Sequence, residues 1–274
     1  MKNYRILLLA FMISSAAPSC RSGLVTMTNG CYNAIEAGQR ANKAGEYSKA
    51  LDQFNQVLDQ CKAYDAKEKG YAGKAAALNG MQQYTQALEA ANQGLAINKA
   101  SIDNYFEKAN AELGLKKSAD AKASFAAIID LTQKNQNVKD RATIYAKIAE
   151  IDLKQNMYTD AVNNIEQAIK LDESNVGFYM LRGDIKTAQK DFKGAIADYD
   201  FAIAKGKDDY EAWKAKAFTY IKSYQEKYAT ADTKELARRL SQPDKQILCG
   251  EIAKAKAKGV KDVNMDLLEL SLCK

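Results

Sequence analysis

A chain of 274 residues with only two prolines, Pro18 and Pro243, has length for one or two ordinary domains. Abundant alanine, lysine and glutamine, with few β-branched runs of period two, predicts an all-α fold, because Pro is the strongest helix breaker and Ala the best former. The formal charge of +6 is modest and mixed in sign, which argues against a nucleic-acid binder, and the absence of histidine removes Ser-His-Asp and Cys-His nucleophilic arrangements.

In chain order, the first element is an export signal. Lys2 and Arg5 form a charged region ahead of the apolar run ILLLAFMISSAA, residues 6–17. That run is too short to span a bilayer as a helix, which needs about 20 apolar residues. Residues 1–19 are therefore expected to be a signal peptide, and their removal leaves a formal charge of +4. The following Ala17-Pro18-Ser19-Cys20 resembles a bacterial lipobox, in which the Cys becomes the acylated first residue of the mature protein. Ala17 stands where such boxes most often carry Leu, and Ala17 with Ser19 also suits an ordinary signal peptidase, so plain secretion is the alternative. On the lipobox reading Cys20 is lipidated, residues 20–30 are a tether, and the N-terminal anchor binds a membrane. Acylating Cys20 also leaves an even set of four cysteines that can pair.

Next comes GEYSKALDQF, residues 45–54, and it recurs as MQQYTQALEAA (81–91), KKSADAKASFA (116–126), QNMYTDAVNNI (155–165) and QKDFKGAIADY (189–199). Each copy holds Ala50, Ala87, Ala121, Ala161 or Ala195, spaced by 37, 34, 40 and 34 residues, and four positions on stands Phe54, Ala91, Phe125, Ile165 or Tyr199. A second series, Tyr71, Tyr105, Tyr145 and Tyr179, precedes the turns and is continued by Trp213. This pattern resembles the tetratricopeptide repeat, a helix–turn–helix unit of 34 residues. The resemblance covers residues 31–230 as five to six units, starting near 31, 68, 102, 142, 176 and 210, with residues 231–274 as capping helices. It implies a right-handed α-solenoid, since one hairpin cannot bury its own apolar face. The family's small residue appears as Gly38 and Gly183, and as Ala75, Ala109 and Ala149 elsewhere; its proline after the second helix is absent from every unit. A polar loop, QKNQNVKDR at 133–141, accounts for the longest interval.

Within this frame Cys31 and Cys61 fall at the two ends of the first unit, and Cys249 and Cys273 on two successive C-terminal helices. Disulfides 31–61 and 249–273 are expected, with buried free thiols as the alternative.

The resemblance implies a ligand groove on the concave face, lined by the first helix of each unit. Carried onto this chain, those positions include Tyr32, Ile35, Gln39 and Asn42 in the first unit, and Lys69, Ala72 and Asn79 in the second. They include Asp103, Phe106 and Asn110 in the third, Ala146 and Glu150 in the fourth, Met180 and Asp184 in the fifth, and Phe218 in the sixth. Phe106, Met180 and Phe218 are expected to be exposed apolar side chains, which a merely solvated face does not require. Some family members hold acidic chaperone tails with a Lys-Asn-Asn-Lys-Arg clamp. Here Ile35 and Gln39 occupy its first two places, and Asp103 and Glu107 stand where Lys and Arg belong, so that specificity is not expected. The periodic tyrosines offer stacking surfaces for sugars, but their period marks them as packing residues.

No Gly-rich phosphate loop and no closely spaced Cys pair is present. The carboxylate neighbours Asp208 with Asp209 and Glu150 with Asp152 fall on expected surfaces, as does the basic run KAKAKGVK, residues 254–261. No enzyme activity, metal or cofactor is expected. The sequence points to an exported, lipid-anchored scaffold that binds protein partners at the bacterial outer membrane or in the periplasm. By fold-level analogy it is similar to the accessory lipoprotein of the outer-membrane β-barrel assembly machine and to secretion-system scaffolds. The alternative is a lipoprotein that captures glycan or peptide fragments for uptake, with Phe106 and Asn110 as its aromatic and polar pair.

Overall fold

The computed structural model describes residues 27–134 and 138–273, so the leader segment and Cys20 lie outside the described residues. Among the described residues there are fourteen helices and no strand. The first hairpins are α1 (Asn29–Lys43) with α2 (Tyr47–Gln60), α3 (Tyr64–Gly80) with α4 (Tyr84–Ile97), and α5 (Ile102–Gly114) with α6 (Ser118–Thr132). Then follow α7 (Val138–Lys154) with α8 (Tyr158–Leu171) and α9 (Val176–Ala188) with α10 (Phe192–Ala204). The chain closes with α11 (Tyr210–Lys227), α12 (Thr233–Arg239), α13 (Gln242–Ala257) and α14 (Val263–Leu272). Helix α7 starts at Val138, inside the stretch expected as a loop, so the insertion is partly an added helical turn.

Every hairpin closes with the same turn. Past the end of the first helix, Glu46 donates its N–H to Ala41 O at 2.9 Å, and Gln83, Lys117, Met157 and Asp191 donate likewise to Leu78, Glu112, Asp152 and Lys186 at 2.8 Å. The residue before each of these donors is left-handed: Gly45 at φ 77°, Gln82 and Lys116 at 61°, Asn156 at 59° and Lys190 at 66°. This is the Schellman arrangement, which satisfies the last carbonyls of a helix. A side chain with a Cβ raises the energy of that conformation by about 1–2 kcal/mol, partly offset because glycine gains more freedom when unfolded. Lys116→Gly is thus expected to raise stability by about 0.5–1 kcal/mol, read as a higher urea midpoint at unchanged slope. A lower midpoint would mean the turn is not held left-handed.

Packing within each hairpin follows the repeat. Ala50, Ala87, Ala121, Ala161 and Ala195 are all fully buried, as are Phe54, Phe125 and Ile165. The small residues opposite them are required by contact distance. A Cβ on Gly38 would lie 2.7 Å from the Phe54 ring and one on Gly73 2.1 Å from it, so the ring is sandwiched between two neighbouring units. A Cβ on Gly183 would meet the Tyr199 ring at 2.6 Å. The periodic Tyr71, Tyr105, Tyr145 and Tyr179 pack partly buried against the successive cores.

Between units, the first helices line up side by side: α1 on α3, α3 on α5, then α7 on α9 and α9 on α11. Side-chain bridges hold the N-terminal set, among them Asn104 Nδ2 of α5, which donates to Glu68 O of α3 at 3.2 Å. Asn42 Nδ2 donates to Gly73 O at 3.0 Å, and Asn79 Nδ2 donates to Glu107 O at 2.9 Å. The next equivalent positions carry Leu113 and Leu153, and there α7 packs chiefly on α6, through Ile144, Ile148 and Ile151 against Phe125 and Ile128. At the C-terminal end α11 pairs with α13 rather than with the short α12, and Leu236, Leu248, Ile252, Met265 and Leu268 close the core. Pro243 sits in the first turn of α13, where a missing N–H costs nothing.

Disulfide Cys31–Cys61 joins the ends of the first hairpin, and Cys249–Cys273 ties the middle of α13 to the end of α14, with Cα separations of 5.9 and 5.6 Å. Among the described residues no helix is long and apolar enough to cross a membrane.

Candidate functional site: the inner face of the array

The first helices of the units present a face broken into three crevices of about 240, 340 and 360 Å³. The first crevice is formed by α1, α3 and α5: Gln39, Asn42 and Lys69 meet Phe106 there, with Asp103 and Glu107 beside them. The second lies between α5 and α7, where Asn110 and Glu150 face each other among Lys116, Lys147 and Lys154. The third joins α9 to α11 and holds Met180, Asp184 and Phe218 with Lys207, Glu211 and Lys214. A wider recess of about 590 Å³, lined by Lys190, Phe192, Lys222 and Glu226 among others, opens at the turn edge of the fifth and sixth units.

Some positions expected on the groove are placed differently. Ile35, Ala72 and Ala146 are buried, Ile35 in the first unit's core, while Phe106, Met180 and Lys214 at the same fifth position line crevices, and Ala72 adds a buried wall to the first of them. Tyr32 is 55% exposed on the first turn of α1, away from the crevices, and its hydroxyl sits by Glu36. Asn79 spends its donors on Glu107, on the carbonyl and on Oε2 at 2.8 Å. Phe106, Met180 and Phe218 are half-buried rather than exposed; the Phe106 ring lies edge-on to Phe125 with centroids 5.9 Å apart.

Glu107 was legible only as a departure from the clamp, and the structure makes it the centre of the first crevice. It is half-buried, and desolvation holds its pKa above the usual carboxylate value; the hydrogen bonds from Asn79 and Asn110 oppose this, and the Asp103 charge adds to it. In the third crevice crowding of the Asp184 carboxyl raises its pKa likewise, against the Tyr199 hydroxyl, which donates to it at 2.8 Å.

Other polar groups singled out by the sequence have structural partners. Asp152 is fully buried, holding Lys122 Nζ at 2.5 Å and Asn164 Nδ2 at 2.8 Å. Asp209 caps α11, and Asp208 accepts from the Trp213 indole at 2.6 Å. Within the basic run, Lys254, Lys256 and Lys258 are paired with Glu251, Asp266 and Asp208, so three of its four lysines are neutralised. Among the described residues no three metal-ligating side chains converge.

No protein-family model matches the sequence, and no curated protein matches it either. Solved structures do match the fold. A tetratricopeptide repeat protein from Parabacteroides merdae superposes with a TM-score of 0.58 at 12% identity, over 90% of this chain and 100% of that one. PilF of Pseudomonas aeruginosa gives 0.63 at 12% identity, over 88% of this chain and 97% of that one. YrrB, a tetratricopeptide protein described as having an unusual peptide-binding site, gives 0.54 at 14% identity, over 77% and 95%. At such identities the likeness speaks for architecture alone, and with the repeated turns and sandwiched side chains it makes this chain an all-α solenoid of the tetratricopeptide type.

Proposed function

We propose that the chain is an exported, lipid-anchored scaffold of the bacterial envelope that binds protein partners along its inner face. The observation that carries this reading is the succession of crevices along one face of the array. Three crevices succeed one another along equivalent faces of the first helices, each mixing polar groups with Ala, Leu or half-buried aromatic and Met side chains. A preorganised surface of this kind binds an extended segment through several weak contacts without an ordering cost of its own. The peptide-binding site named for YrrB supports the mode by likeness of fold. Two disulfides at the ends of the array support an oxidising compartment, and with the leader and Cys20 they support export and anchoring. The rival capture of glycans finds less support, since Phe106 and Asn110 open into different crevices and form no single stacking platform.

Tagged full-length protein, crosslinked in its host and purified from membranes in mild detergent, is expected to bring one partner at near-equal amount. Changing Phe106 and Met180 to Ala should abolish that recovery, and Cys20→Ala should shift the protein out of the membrane fraction. Recovery of the protein alone, or a partner indifferent to the groove substitutions, would refute the scaffold reading.

A further inference from the structure

The first crevice carries a net negative charge, two carboxylates against one ammonium. Asp103 and Glu107 stand a helical turn apart on α5, and among the described residues neither forms an ion pair. Lys69 lines the same crevice without pairing to either. Behind the carboxylates, the bridging Asn42 and Asn79 have their amide orientation set by their partners, because Gly73 O and Glu107 O can only accept a hydrogen bond. This leaves Asn42 Oδ1 and Asn79 Oδ1 buried with no hydrogen-bond partner. Apart from the exposed Lys69 and the Gln39 amide, the unmet polar capacity here is acceptor, in carboxylate and buried amide oxygens, and two carboxylates outnumber the one ammonium. Groups that are donors only, and charged, are ammonium and guanidinium.

Size and shape narrow the class further. At about 240 Å³ the crevice is smaller than pockets for small-molecule ligands, which run from roughly 300 to 1,000 Å³, and is matched to one long side chain. Phe106 gives it an aromatic wall, and an aromatic face attracts a cation through its quadrupole. The adjoining crevice has the opposite balance, with Lys116, Lys147 and Lys154 around Glu150, so a run of basic residues would be repelled one step along the groove.

We propose that the crevice between α1, α3 and α5 is the anchor for a single lysine or arginine side chain of an extended partner segment. The proposal rests on the groove reading above and adds its specificity, with Glu107 as the charge partner and Phe106 as the platform. Burial disfavours the charged form of the Glu107 carboxyl, and a cation seated beside it offsets that penalty.

The test is selection of a displayed library of random linear peptides on the full chain in detergent, followed by anisotropy titration of the enriched peptide. Lys or Arg is expected at one fixed position, next to an apolar residue. Glu107→Gln keeps an acceptor for Asn79 and removes the charge; it should erase that preference and weaken the peptide roughly 10- to 100-fold. Replacing the peptide's basic residue with norleucine should cost the same on the unaltered chain and nothing further on Glu107→Gln, the signature of a direct pair. Asp103→Asn, at an exposed position, should cost up to about 5-fold. Enriched peptides with no basic preference, or a preference that survives Glu107→Gln, overturn the proposal and leave the groove reading standing. If no peptide is enriched at all, both fall.

Discussion

Lys216→Ala is expected to remove about 3–5 kcal/mol from the C-terminal end of the array, the effect of breaking a buried ion pair from one side. Lys216 is only 5% exposed, yet its ammonium holds Asp200 Oδ1 at 2.7 Å and Glu251 Oε2 at 2.9 Å. These carboxylates belong to α10 and α13, so one charge ties the fifth unit, the α11 helix and the cap. The Trp213 ring, 5.1 Å from Nζ, covers it. Removing the ammonium leaves Glu251, itself 8% exposed, with Lys254 alone. The paired change Lys216→Met with Glu251→Leu should recover most of the loss, since apolar groups of similar volume often replace a buried pair without cost. Trp213 is the only tryptophan, so its fluorescence in a urea titration reads this region directly. A loss under about 1 kcal/mol would put the pair among ordinary surface bridges.

The same cluster sets a pH dependence. Burial by itself would raise the Glu251 pKa, but Lys254 and Lys216 more than cancel it and the net position is below the ordinary value. A carboxylate depressed in the folded state contributes its full stability above the unfolded value of about 4.3, and that contribution is lost as pH falls through the folded pKa. For Lys216 burial opposes the charge, while Asp200 and Glu251 outweigh it and raise the pKa. Its contribution is complete below about 10.4 and disappears as pH climbs past the folded value. Trp213 fluorescence should therefore report loosening below about pH 4 and above about pH 10.5, with the acid limb flattened in Lys216→Met.

Loss of a disulfide is the second large effect, and its signature is location. The bridges close loops spanning 30 and 24 residues, and chain-entropy arithmetic assigns each about 3.5 kcal/mol. In a solenoid each unit touches only its neighbours, so the cost stays near the bridge. Cys31→Ser with Cys61→Ser should speed amide hydrogen exchange in α1 and α2 while leaving α7 and α8 unchanged. Cys249→Ser with Cys273→Ser should do the same for α13 and α14. Exchange that rises evenly along the chain would show a single cooperative unit instead, and unreduced peptide mapping that finds four alkylatable thiols would remove the bridges altogether.

How much of this was legible beforehand depends on whether a contact lies within a hairpin or across hairpins. The buried series from Ala50 to Ala195, the packed tyrosines and the placing of Cys31 and Cys61 all follow from a period near 34 residues, because a hairpin's two helices are neighbours in sequence and repeat the same spacing. Contacts between units have no such signature. Ile35 occupied a groove position by register and turned into the core, since the rotation of one unit on the next decides which flank of a helix is covered. Asn42 and Asn79 looked like ligand contacts and act as bridges between helices. Glu107 gained its meaning only when α1, α3 and α5 came together and left it desolvated without an ion pair. The cap was least readable, because α13, not the adjacent α12, completes the last pairing, and the ion cluster at Lys216 joins residues 35 positions apart. Local periodicity and side-chain size are enough to specify the repeat, its phase and the staple on the first unit. The tertiary structure alone decided which polar groups stay free to bind, because that depends on how successive units are rotated and on what charge the neighbouring helix brings.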